Sequence, residues 1–298
     1  MTGEAAPNPS PQGPLAQLLE KIVMKRIDAD QLVLPSMPAT ALKVLNLLKN
    51  PELSLKEAST LIERDPMLTA QLIKLANSAA SGARDATQSV LQAVTRFGSQ
   101  KLKAMLIEAA ARKLFESRDV RIAEASKGLW EHSLAVAIMT RDVVAFANCG
   151  LPEFGYLAGL LHDVGKPIVA AMLLEAERAI LGSKPNMVWL TAPEWIQIVQ
   201  RIHRQVGVAL ATKWELPEAV CRAIKDCEEY DNADRLSVTN AVRFANAVAK
   251  REGIYIGESS ADDIDALVMI GQSLLGLEAS VVKRLASGLS AKVKELLS

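Results

Sequence analysis

Apolar residues recur along this chain at three- and four-residue intervals, and the stripes they form are separated by capping residues, glycines and prolines. Ala41, Val44, Leu45 and Leu48 share one helical face after Pro38, which suits a first helical position. Ser54 with Glu57, Ser89 with Gln92 and Thr191 with Glu194 have capping-box spacing. Asp65-Pro66 reads as an N-cap followed by a first-turn proline, with Leu68, Leu72, Leu75 and Ala76 as the stripe behind it. Val90, Val94 and Phe97 point inward until Gly98 ends that helix, and Leu102, Met105, Leu106 and Ala109 continue the pattern. A long helix is predicted over 120–147, ended by Gly150, and Pro152 opens the next. Pro167 restarts a helix that Gly182 stops. Trp195, Ile198, Ile202, Val206 and Ala209 form a further stripe with His203 at its edge. Leu216-Pro217-Glu218 and Ser237 open two more helices. Ile254-Tyr255-Ile256 is the one piece that reads as extended, and two final helices are predicted near 262–275 and 278–297.

No series of alternating strands and no fixed-period repeat emerges, so the predicted class is all-α and globular. The expected organisation is a disordered tail over 1–14, a helical lobe over 15–116, a second over 120–235, and C-terminal helices over 236–298 that pack on or extend the domain.

Composition narrows the partners. Lys and Arg together number 34, as do Asp and Glu, and the basic residues are interspersed with acidic ones, so no nucleic-acid stripe is expected. No apolar run is expected to reach the roughly 20 residues of a membrane span, and the first residues lack the pattern of a signal peptide. Three cysteines, Cys149, Cys221 and Cys227, have no zinc-finger spacing and read as reduced thiols in a cytoplasmic protein. There is no P-loop, dinucleotide fingerprint or nucleophile elbow.

The chemistry-bearing stretch is Gly159-Leu160-Leu161-His162-Asp163-Val164-Gly165-Lys166, which contains one of only three histidines. It resembles the His-Asp segment of HD-type phosphohydrolases. Several other pieces resemble the HDOD family, the HD-related output domain of bacterial signalling proteins, itself related to the HD and HD-GYP hydrolases. They are Leu34-Pro35-Ser36-Met37-Pro38, Ile62-Glu63-Arg64-Asp65-Pro66, Leu75-Ala76-Asn77-Ser78, Ser89 through Gly98, Leu129-Trp130-Glu131-His132-Ser133-Leu134, His203-x-x-Val206-Gly207 and Trp214-x-Leu216-Pro217.

That resemblance implies a metal-ligand set of His132, His162, Asp163 and His203. The later aspartate of the hydrolases falls near Asn246, and Asp226-Cys227 stands where relatives carry a His pair. Imidazoles suit Fe, Ni or Zn, whereas an Asn amide weakens a site for Mg²⁺ or Mn²⁺. The preferred reading is a site with no metal and no catalytic residue, in which Asp163 accepts an imidazole N–H from His132 or His162. For Lys166 the bland role, capping helix carbonyls, stands beside contact with a phosphate. Trp130, Trp195 and Trp214 read as core anchors.

The expected function is a non-catalytic signalling or output module. It would bind a protein or small-molecule partner, near cyclic-di-GMP or two-component circuits as the resemblance implies, with a homo-oligomer left open. The alternatives are a metal-dependent phosphohydrolase and a scaffold whose C-terminal helices bind a partner helix.

Overall fold

The computed structural model describes residues 14–29, 31–49, 55–77, 86–183, 190–257 and 259–297. The expected tail over 1–14 and the Ser54 cap lie almost wholly outside these residues. The helices in chain order are α1 (Pro14–Asp28), α2 (Ala39–Leu47), α3 (Leu55–Glu63), α4 (Pro66–Asn77), α5 (Val90–Arg112), α6 (Val120–Ala147) and α7 (Pro152–Leu161). They continue with α8 (Gly165–Ser183), α9 (Ala192–Lys213), α10 (Glu218–Asp226), α11 (Val238–Arg251), α12 (Ala261–Leu274), α13 (Ala279–Ala286) and α14 (Leu289–Leu297). Among the described residues there is no β-strand, so the chain is all-α.

Local capping explains most of these boundaries. The Ser89 hydroxyl accepts from Gln92 N at 3.2 Å while Gln92 Oε1 accepts from Gln88 N. Asp65 Oδ1 accepts from Leu68 N, and Glu194 Oε2 accepts from Thr191 N. The bonds from Gln92 N, Leu68 N and Thr191 N satisfy donors that a helix start leaves open.

Four boundaries differ from the sequence reading. Gly98, at φ 69°, breaks the helical path but helix resumes at once, so Val90–Arg112 is one kinked element. Asn148, not Gly150, is the left-handed cap of α6, at φ 50°. Helix α8 begins at Gly165, two residues before Pro167, because Lys166 N already bonds Asp163 O at 2.9 Å. The last predicted helix is two, α13 and α14, parted at Gly288 with φ 77°.

A small core holds α2 to α5, with Val44, Ile62, Leu72, Val94 and Leu106 at its centre. The main core gathers α6, α7, α9, α10 and α11 around Leu134, Ile138, Leu161, Val206, Ile224 and Phe244. Helix α12 lies on α11, and α13 and α14 lie on α6. The ends of α9 tie the two parts together: Trp214 Nε1 donates to Pro35 O at 3.1 Å and Lys213 Nζ to Leu34 O at 2.7 Å. Trp130 and Trp214, each 6% exposed, are core residues as expected.

Pro152–Ala179 is long and apolar enough by length and composition to cross a membrane, contrary to the sequence reading. It is not one helix, since the chain turns between Leu161 and Gly165, and 83% of the apolar window is buried inside the protein. Its hydropathy is that of a core element.

Close helix approach sets up the site. Gly155 and Gly159 of α7 face α6, where a Cβ on Gly159 would lie 2.7 Å from Val136 O. Gly165 lies so close to α9 that a Cβ there would overlap His203 O. These glycines let α6, α7, α8 and α9 pack backbone to backbone.

Candidate metal and anion site

Each histidine comes from a different element of this close-packed group. His132 lies in the middle of α6, His162 follows the last residue of α7, and His203 is within α9. Asp163 occupies the turn into α8, and Lys166 its first turn. All five are buried, from 0% exposure for His132 to 8% for Lys166.

Every imidazole uses Nδ1 on a backbone carbonyl. His132 Nδ1 donates to Ile254 O at 2.7 Å, His162 Nδ1 to Gly159 O at 2.8 Å, and His203 Nδ1 to Gln200 O at 2.8 Å. For His162 the acceptor is one of the carbonyls that the end of α7 leaves open. Of the two donors expected for Asp163, His132 is turned to the Ile254 carbonyl while His162 lies beside the carboxylate. The shortest contact of the carboxylate is with Lys166, whose Nζ donates to Asp163 Oδ2 at 2.6 Å. The three Nε2 atoms are buried without a hydrogen-bond partner. His162 Nε2 is 3.3 Å from Asp163 Oδ2, and His203 Nε2 is 3.5 Å from Oδ1.

Charge follows burial. Burial pushes the His132 imidazole down to about 3, with His162 adding to the effect, so its ring is neutral at ordinary pH. Burial alone would push the Asp163 carboxyl up, but His162 and Lys166 beside it outweigh that and hold it well below the usual carboxylate range.

The donor set fits a borderline transition metal. One ligand atom each from His132, His162 and Asp163 lie within 4.8 Å of one another. The Nδ1–H bonds to carbonyls are the orientation that metal-binding histidines adopt. Asn246, on α11, offers a buried Oδ1 that also lacks a partner. Asp226 is exposed and Cys227 is buried against Arg204, whose Nη1 is 3.2 Å from Sγ, so that pair offers no replacement ligands.

The sequence reading missed the surroundings of the cluster. Tyr255 packs edge-on against His132 with ring centroids 5.3 Å apart, and Lys250 Nζ lies 4.5 Å above the Tyr255 ring. The Ile254–Ile256 piece is irregular rather than extended, which frees the Ile254 carbonyl for His132. Arg243, Asn246 and Lys250 share one stripe of α11 at i, i+3 and i+7, a spacing that was visible in the sequence. Outside the cluster, Glu108 is 8% exposed and accepts from the Tyr156 hydroxyl at 3.0 Å.

Known structures share this fold. A protein of Shewanella amazonensis SB2B, provisionally named a metal-dependent phosphohydrolase, superposes with a TM-score of 0.75 at 21% identity, covering 93% of this chain and 99% of that one. An HDOD domain protein with unknown function from Geobacter sulfurreducens gives 0.69 at 23% identity, covering 95% and 98%. These likenesses show the fold. An uncharacterized protein of Treponema pallidum (strain Nichols) is 28% identical over 231 residues, or 72% of this chain, which spans 41% of that protein's length. The HDOD domain family matches residues 34–230, a range that holds both helical halves and His132, His162, Asp163 and His203. On that match, the chain belongs to the HDOD family.

Proposed function

We propose that this chain is a non-catalytic HDOD signalling module that acts in bacterial signal transduction by binding a small-molecule or protein partner. The Lys166–Asp163 ion pair, at 2.6 Å and almost closed to solvent, carries the reading. A metal-dependent hydrolytic centre needs ligand atoms free to bind the ion and an open coordination position, and carboxylates favour the harder ions. Here the cluster's carboxylate already faces an ammonium, and a neutral amide, Asn246, stands on α11 where the hydrolases would be expected to carry a second carboxylate.

The test is turnover. The purified protein is incubated with cyclic dinucleotides, (p)ppGpp and nucleoside monophosphates, with Mg²⁺, Mn²⁺, Fe²⁺ or Ni²⁺ added. No hydrolysis is expected. Turnover on the order of 1 per second that disappears in Asp163→Ala would overturn the proposal.

One observation favours a second reading, a metal-dependent phosphohydrolase. Three buried Nε2 atoms without partners are costly unless something accepts their lone pairs. His132, His162 and Asp163 would hold the ion, with His203 beside Asp163, and the ion when bound would polarise a phosphate oxygen and supply hydroxide. Stoichiometric Fe, Ni or Zn in protein purified without chelator, measured by mass spectrometry, would favour this second reading.

A further inference from the structure

Four cationic side chains gather around the single carboxylate of the cluster, Asp163. Lys166 is paired with Asp163. Arg204 of α9 has Glu228 at 3.0 Å and also donates to Ile224 O. Arg243 and Lys250 of α11 have no ion-pair partner among the described residues. Arg243 lies with Cζ 5.9 Å from the centroid of the Tyr230 ring, and its Nε is buried without an acceptor. Lys250 rests on Tyr255. Both side chains are half-buried, so they are reachable from solvent yet poorly hydrated. Burial, followed by repulsion from Lys166 and then from Arg243 and Arg204, outweighs the attraction of Asp163 and pushes the Lys250 ammonium below the ordinary lysine range. Two of the four, Arg204 and Arg243, also act on the buried Cys227 thiol. Unpaired, partly desolvated cations destabilise a fold unless something offsets them.

We propose that Arg243, Asn246 and Lys250 form a binding site for the phosphate group of a small hydroxylated molecule at the rim of the histidine cluster. A guanidinium fork and a lysine point charge on one helical stripe match a tetrahedral oxyanion, which accepts from both. Asn246 lies between them in sequence, three residues from one and four from the other. Its buried Oδ1 has no donor, so the ligand must bring an O–H as well as negative charge. A halide lacks that donor. A phosphate monoester of a polyol or sugar has both groups, and inorganic phosphate at neutral pH has them in minimal form. The site names a ligand class for the binding role proposed above and rests on that role only for its purpose.

Calorimetry and thermal melts on chelator-treated protein test it, with inorganic phosphate and ribose 5-phosphate as separate probes against sodium chloride at matched ionic strength. Phosphate at ten times its dissociation constant is expected to raise Tm by about 2–4 °C over chloride. Arg243→Gln and Lys250→Gln should each weaken binding roughly tenfold, and the double variant should abolish it. Lys250→Gln should melt no lower than the parent without phosphate, because it removes an unpaired cation. Stronger binding of ribose 5-phosphate than of inorganic phosphate identifies an ester as the ligand, and equal binding identifies the bare group. The proposal is overturned if phosphate acts no differently from chloride, if both variants bind as the parent does, or if Lys250→Gln melts well below it. Hydrolysis of ribose 5-phosphate would instead overturn the non-catalytic reading and leave this site standing.

Discussion

Lys166 Nζ lies 2.6 Å from Asp163 Oδ2 in a pocket where neither residue is more than 8% exposed. Removing one partner of a buried pair leaves an uncompensated charge, which typically costs about 3–5 kcal/mol, whereas replacing both by apolar groups of similar size is often near neutral. In chelator-treated protein, Asp163→Asn should therefore lose stability on that scale in urea melts. Asp163→Leu combined with Lys166→Met should recover most of the loss. If the double variant is as unstable as the sum of the singles, Asp163 is held by the histidines and not by Lys166.

The α6–α7 contact depends on Gly159. A Cβ there would lie 2.7 Å from Val136 O and 2.8 Å from the Ala137 Cα, atoms of a helix backbone that cannot swing aside. Alanine's better helix propensity is worth about 1 kcal/mol. Overpacking against backbone costs about 1–3 kcal/mol or more, so the clash should win. Gly159→Ala should lower the urea midpoint and, by parting His132 from His162, shift the histidine ring resonances in NMR spectra. An unchanged midpoint would show that the helices can separate freely.

Glu108 should give stability a pH dependence of its own. Burial pushes its carboxyl up to about 7 from 4.5, against the Tyr156 hydrogen bond and the Arg112 charge. The folded state therefore binds this proton more tightly than the unfolded chain. Its contribution is fully present below about pH 4.5 and is lost as pH rises through about 7. The loss is on the order of 3 kcal/mol. Glu108→Gln should flatten the stability profile between pH 5 and 8, read by denaturant melts across that range. A profile as steep as the parent's would assign the dependence to another group.

The sequence by itself determined the helical class, most helix starts and the residues that meet at the site. A cap such as Ser89 or Asp65 acts on a backbone N–H three residues away, and a stripe such as Ile198, Ile202 and Val206 repeats within two turns. These forces are local, so they are written locally. The ordered pieces from Leu34-Pro35 to Trp214 also carried the family.

Tertiary structure alone decided what each site atom does. His132 could not be assigned an Nδ1 partner from its own helix, because the acceptor, Ile254 O, is 122 residues away in an irregular segment. Lys166 looked like a helix-capping lysine, and its role as the counter-ion of Asp163 required the turn that folds it back across the carboxylate. The Arg243–Asn246–Lys250 stripe was readable as a helical spacing. That it lies among other cations with one carboxylate, Asp163, between them depends on how α11 packs against α6 and α7. Hydrogen-bond partners and charge balance are set by which chains of atoms exclude water together, and only the assembled core fixes that.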